Sequence, residues 1–338
     1  MTTADGTRRV LYVAIAGDVA VALAKFLVAA MTGSSAMLTE GIHSLVDTGN
    51  EFLLIFGVRR GQRAVDEWHV FGYGKATYVW SLVVALSVFS IGGGVSVYEG
   101  ILNLVHTPRL SEPTWNYVVL AIAAVFQGWS WRVSQQEIGR HRRPGESLWR
   151  TSQRDMDVLV YTVFVEDSAA LVGIALAALG IWLSHALNSP WLDPAASVAI
   201  GLVLIASAAL LAHKSVSLLL GASLDSDQIA VLRRIISADS AVEGVGHLLT
   251  MRLGPDSVLL TAAVRFRRQF TLDQVEQAIE RLEHAIKLRY PSIHHLYLES
   301  GALKQAARAG TTVPPAATPH NSTPQATAQP VVVPPSQP

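Results

Sequence analysis

The sequence predicts an α-helical membrane protein with six transmembrane helices, followed by a small cytoplasmic α+β domain. Three observations carry this. Half of the 338 residues are hydrophobic and only 15% are charged, with a mean hydropathy of +0.34. The apolar residues fall in runs of the length that crosses a bilayer, for which about 20 residues are needed. Near Leu224 these runs give way to short segments with helical and strand-like periods.

The first span is Val10 to Met31, interrupted by Asp18 and Lys25, seven apart on one face and suited to pairing with neighbouring helices. No small-residue cleavage site follows it, so it reads as a retained helix and not a signal peptide. Thr32 and Gly33 turn the chain into the second span, 35–57. The third span, Ala76 to Val105, contains Gly92-Gly93-Gly94, which permit a kink or close helix contact, and a lone Glu99. Pro108 and Pro113 mark the next loop. The fourth span is about Trp115 to Val133, with Gln127 inside. The fifth, about 158–184, carries Glu166 and Asp167 side by side, and the sixth runs from Leu192 to about Ala212. The loops after spans two and four are rich in Lys and Arg, whereas those after spans one, three and five hold Arg109 alone. The positive-inside rule then puts both termini in the cytoplasm.

Beyond the spans, Asp225 to Asp239 has helical periodicity. Val245 to Leu253 and Ser257 to Phe266 read as strands joined by a Gly254-Pro255-Asp256 turn. Thr271 to Arg289 is an amphipathic helix opened by a Thr271/Gln274 capping box, and His294 to Glu299 is a final strand. The order αββαβ describes a ferredoxin-like domain with both helices on one face of a three-stranded sheet. Residues 1–215 therefore form the transmembrane domain, 216–301 the cytoplasmic domain, and 302–338, rich in Pro, Ala and Thr, a disordered tail.

The second span carries the chemistry. Glu40, His43, Asp47, Asn50 and Glu51 interrupt an apolar frame. Ionisable groups in hydrocarbon cost several kcal/mol each and are kept where they meet a partner, a wet cavity or an ion. Glu40, His43 and Asp47 share one face and span roughly 10 Å of it. His43 and Asp47, one turn apart, suit zinc or another first-row metal, since imidazole plus carboxylate favours neither calcium nor magnesium. The competing role for the same pair is interhelical hydrogen bonding. Formal net charge is zero, which gives no support to nucleic-acid binding, and the absence of cysteine excludes disulfides and thiolate metal sites. There is no GxxxxGK[ST] loop for a nucleotide and no H-E-x-x-H for an intramembrane metallohydrolase, so an enzyme is not expected.

Several segments together resemble a known family. They are Gly33-Ser-Ser-Ala-Met-Leu-Thr-Glu-Gly-Ile-His43-Ser-Leu-Val-Asp47, Asp66-Glu-Trp-His69-Val-Phe-Gly-Tyr-Gly-Lys75, Asp193-Pro-Ala-Ala-Ser197 and Leu219-Leu-Gly221, followed by the αββαβ domain. In this order they resemble the cation diffusion facilitators, proton-coupled exporters of zinc and related divalent metals, over about residues 8–300. Tyr98-Glu99-Gly100, Glu166-Asp167 and Leu253-Gly254-Pro255-Asp256 look most like the ZnT9-like branch.

The resemblance implies a tetrahedral transport site with two residues from span two, His43 and Asp47, and two from span five. Asp167 matches the later of these. The earlier position is Val163, which cannot bind metal. Glu166, rotated by about 100° from Asp167 on an ideal helix, either supplies the fourth ligand or faces elsewhere. Glu40 is a further candidate ligand, with helix packing or proton relay as its other role. Asp66 and His69 match part of a loop metal site seen in some members, but its third position is Tyr73, so the alternative is a purely organising role in a polar loop. Of a cytoplasmic zinc site found in relatives, only His247 matches; His284, His294 and His295 stand elsewhere, and the domain is expected to serve dimerisation.

The expected function is divalent metal export, zinc first, in exchange for protons, with no cofactor beyond the transported ion. The partners are metal ions, protons and the lipid bilayer, in a homodimer formed through the cytoplasmic and transmembrane regions. The alternatives are a non-transporting metal-binding or scaffold paralogue, or the same antiporter carrying manganese, iron or cobalt. The Ala- and Arg-rich usage and the lack of a targeting segment point to a bacterial plasma membrane.

Overall fold

The computed structural model describes residues 19–106, 113–140, 145, 147, 151 and 158–300. Val10 to Asp18 of the first span, Arg142, Arg143, Arg150 and Arg154 of the basic loop, and the 302–338 tail lie outside the described residues.

Helix α1 (Val19–Thr32) meets α2 (Ser35–Gly61) at Gly33. That glycine sits at φ 68°, a left-handed conformation that a side chain would strain. A long helix follows in three parts, α3 (Ala76–Ser87), a π-helical stretch (Val88–Val95) and α4 (Ser96–Val105). Then come α5 (Thr114–Arg140), α6 (Val158–Ala186) and α7 (Leu192–Leu219). Among the described residues, Ala76–Val105, Val158–Ala186 and Leu192–Leu219 are long and apolar enough to cross a membrane. Helices α2 and α5 have 27 residues each but are more polar. In α2 this follows from the face that holds Glu40, His43, Asp47, Asn50 and Glu51.

The helices overrun the apolar segments. Helix α2 continues past Gly57 to Gly61, with Arg59 and Arg60 in its last turn, where cations favour the helix dipole. Helix α7 continues past Ala212 to Leu219 and stops before Gly221, at φ 92°. A helix ends where its backbone is capped or broken, not where hydrocarbon ends.

Helix α7 is the central strut. It packs along α6, the α3–α4 rod and α2, while α5 packs on α6. The glycine run permits a close approach of the α3–α4 rod to α7. A Cβ at Gly93 would stand 3.0 Å from the carbonyl of Gly201, and one at Gly201 would stand 3.0 Å from the carbonyl of Gly93. Small residues let membrane helices approach this closely, and the π-helical turn lies at the same point.

The C-terminal unit follows the expected order, with α8 (Ser226–Ala238), β1 (Val242–Gly254), β2 (Ser257–Phe266), α9 (Leu272–Arg289) and β3 (Ile293–Ser300). Capping boxes open both helices, Asp225 with Gln228 and Thr271 with Gln274. The sheet order is β1-β2-β3, with β1–β2 antiparallel and β2–β3 parallel. Leu232 and Ile236 of α8 join Leu282 and Ile286 of α9 on Val258, Leu260 and Ile293 of the sheet, forming one apolar core. Both helices therefore cover the same face.

Candidate functional site

The start of α2 is fixed by α7. Ser34 caps the helix by accepting from the Met37 amide at 3.2 Å, and donates its own hydroxyl to Asp193 Oδ1 at 2.8 Å. The Ser35 amide donates to Asp193 Oδ2 at 2.7 Å. A carboxylate over the first turn of a helix both satisfies free N–H groups and opposes the dipole. The sequence singled out Asp193 only as part of a motif. The signal for its role was Ser34-Ser35 at a helix start, needing an acceptor.

From this anchor α2 presents its polar face to α1 and α6. Glu40 is fully buried, and its Oε2 pairs with Lys25 Nζ of α1 at 2.9 Å. Lys25 also donates to Ser44 Oγ at 2.7 Å and to the Glu40 carbonyl at 3.4 Å. Asn50, at the other end of the face, donates from Nδ2 to Glu166 Oε1 of α6 at 2.8 Å. Between them in sequence stand His43 and Asp47, with His43 Nδ1 3.3 Å from Asp47 Oδ1. His43 is buried, whereas the Asp47 side chain keeps a quarter of its surface. Among the described residues, neither ring nitrogen of His43, nor Asp47 Oδ1, has a hydrogen-bond partner. Buried polar atoms are nearly always paired, so such groups call for an explanation.

Glu166 and Asp167 point in different directions, as adjacent residues on a helix must. Glu166 turns to α2. Asp167 turns to α5, accepting from Gln127 Nε2 at 2.5 Å and Ser130 Oγ at 2.8 Å. Beside it, Trp131 Nε1 donates to Ser168 Oγ at 3.0 Å. The expected grouping of His43, Asp47 and Asp167 is therefore not assembled. Among the described residues, no three His, Asp or Glu side chains stand together in a way that could hold a metal. The reason is visible in the partners: Asp167 is held by α5, Glu166 by Asn50 and Glu40 by Lys25.

In the loop after α2, Asp66 accepts from the Trp68 and His69 amides at 3.0 and 2.7 Å, from the Tyr73 hydroxyl, and lies 3.0 Å from His69 Nδ1. The Tyr73 hydrogen bond, helped by those of His69, lowers the Asp66 carboxyl to about 2. Its oxygens organise a turn. His247 lies on the sheet 4.0 Å from Glu299, and His295 packs edge-on against Phe71.

A buried ionisable face between apolar helices is the kind of feature an integral membrane protein keeps where it meets a partner, a wet cavity or an ion. The comparisons with known proteins agree. The model of the cation efflux transmembrane domain matches residues 11–220, and the chain belongs to the cation efflux, or cation diffusion facilitator, family, a family of transporters and not of enzymes. It is 28% identical over 313 residues to "Proton-coupled zinc antiporter SLC30A9, mitochondrial" of Xenopus laevis, covering 81% of this chain and 56% of that protein. The human protein of the same name is 27% identical over 332 residues, covering 87% and 58%. Within the family the chain falls with this ZnT9-like branch. "Cation-efflux pump FieF" of Escherichia fergusonii is 26% identical over 269 residues, covering 77% of this chain and 81% of the pump. The chain thus spans a little over half the length of the SLC30A9 proteins it matches.

Proposed function

We propose that the protein exports a divalent metal ion, zinc first, in exchange for protons, and that His43, Asp47 and Glu166 are the side chains that take the ion. The observation that carries this is the juxtaposition on α2 of the His43 ring and Asp47 Oδ1, buried without a hydrogen-bond partner among the described residues, with Glu166 directed at α2 from α6. Asp167, held by Gln127 and Ser130, then acts as a support for α6. The set of one imidazole and two carboxylates suits zinc and also admits manganese, iron(II) and cobalt. Zinc comes first because the SLC30A9 relatives are named zinc antiporters.

The chemistry follows from the ligands. Imidazole must be neutral and carboxylates ionised to bind metal. A site facing the more acidic side therefore exchanges its metal for protons, and the proton gradient drives export without nucleotide. Closure on the metal requires Glu166 to exchange the Asn50 amide for the ion, a local movement of α6 against α2. We assign residues 1–215 as a six-span transport domain with both termini inside, 216–301 as a cytoplasmic domain, and a homodimer as the assembly. We place it in a bacterial plasma membrane, a location that the Ala- and Arg-rich usage favours; the FieF relative is bacterial, whereas the SLC30A9 relatives are named mitochondrial.

The rival reading, a non-transporting paralogue, draws on the lack of an assembled three-ligand cluster among the described residues. Uptake into proteoliposomes under an imposed pH gradient separates the two, with zinc, manganese, cobalt and iron(II) in parallel. Gradient-driven uptake of one metal, lost in Asp47→Ala, is expected. Correctly folded protein that moves none of the four would leave the rival standing.

A further inference from the structure

Lys25 and Glu40 were read from the sequence as, respectively, a structural charge and a candidate ligand. Their geometry joins them in a single device. The ammonium is buried, at 3% exposure, and has three acceptors in Glu40 Oε2, the Glu40 carbonyl and Ser44 Oγ. All three donor positions of the ammonium therefore have an acceptor within reach. Glu40 Oε1 has no hydrogen-bond partner among the described residues and is seated against Gly173 of α6, where a Cβ would stand 2.4 Å from it. Gly173 lies two helical turns from Glu166, on the same face of α6. Glu40 likewise lies one turn from His43 on the face of α2 that carries Asp47. The carboxylate thus reaches the interface where the ion is proposed to sit, with one oxygen free, but its charge is already matched by Lys25.

We infer that Lys25 is a specificity-determining residue that withholds Glu40 from the transported ion, limiting the site to His43, Asp47 and Glu166. This rests on the site reading above. The physical reason is release. A third carboxylate would tighten binding of a divalent cation and require a further proton to displace it, which slows turnover. The Lys25 ammonium, tethered to α1, prevents this without removing Glu40 from the packing of α1, α2 and α6.

The test is zinc affinity by competition with a chelating dye on the full chain, with cobalt(II) d–d absorption as a readout of the ligand set. Lys25→Met frees Glu40. It is expected to bind zinc at least tenfold tighter, to transport more slowly, and to shift the cobalt bands as an oxygen ligand is added. Lys25→Met/Glu40→Gln is expected to return affinity to within threefold of wild type and to restore the wild-type cobalt spectrum. Lys25→Arg, which keeps charge and donors, should resemble wild type. Zinc binding by Lys25→Met that is no tighter than wild type, or a cobalt spectrum that does not move, overturns the inference. Should Lys25→Met fail to fold, the double variant decides, because a tenfold loss there would make Glu40 a ligand already in the wild type. Zinc binding that is absent from wild type, or that survives His43→Ala, faults the site reading itself and removes the inference with it.

Discussion

The seam where α1, α2 and α6 meet and the core of the C-terminal unit are built on opposite principles. The seam buries Lys25, Glu40, His43, Asn50 and Glu166, and holds them by side-chain pairs between helices. The C-terminal core is closed by Leu232, Ile236, Leu260, Leu282, Ile286 and Ile293. Among the described residues beyond 220, no polar or charged side chain is buried. Burial of apolar area explains the second region without further assumption. It cannot explain the first, where each polar group must find a partner or bear a desolvation cost of about 1–3 kcal/mol. The difference teaches where to look for function: in the region that folding alone would not have built.

The sharpest way to break this comparison is at Asp47. Asp47→Ala should abolish gradient-driven metal uptake while the protein still extracts as a folded species. Retained uptake would mean that the polar face of α2 serves packing alone, and the contrast between the regions would lose its functional meaning. A step smaller is the contrast within α6. Glu166→Gln should weaken zinc binding by at least about a hundredfold, since loss of a group that merely supports a ligand already costs about 10–100-fold. Asp167→Asn, a change at such a support, should stay within that lower range. Calorimetric titration of both variants decides, and the reverse order would restore Asp167 to the site.

In the apolar region the expectation is inverted. Leu232→Ala should cost about 2–5 kcal/mol, as truncation of a buried leucine does, with zinc affinity unchanged. Hydrogen exchange over α8, β1 and β2 would read the destabilisation. A matching loss of zinc affinity would show that the two regions are energetically coupled.

Much of this contrast was legible in the sequence. The apolar runs and the switch near Leu224 gave the elements, and both the Asp225 and Thr271 helix starts lie at capping residues. The polar residues of α2 were equally visible. What could not be read was who pairs with whom. The 100° step between Glu166 and Asp167 follows from helix geometry. Which of the two meets α2 depends on the rotation of α6 between its neighbours, fixed by Gln127 and Ser130 of α5 and by Asn50 of α2. Lys25 was recognisable as a charge in want of a partner, yet Glu40 is 15 residues away across a turn. Such contacts are tertiary, and no local period encodes them.

The smallest effect is expected in the loop at Asp66, which belongs to neither region. Its carboxyl is held low chiefly by the Tyr73 hydroxyl, against an opposing desolvation, with the ring and amide of His69 assisting. A depressed folded-state value means that the turn gains from an ionised Asp66 above the ordinary carboxylate range, near 4. That gain fades as pH falls towards about 2. Tyr73→Phe removes the main donor, so the Asp66 carboxyl should titrate closer to its ordinary value, as carbon-13 carboxyl shifts would record. Metal uptake at neutral pH should change less than twofold in Asp66→Asn, because the oxygens of Asp66 are taken up by the backbone and side chains of its own turn. A tenfold loss of uptake would place a second ion site in this loop, and the polar function of the molecule would then extend beyond the seam of α1, α2 and α6.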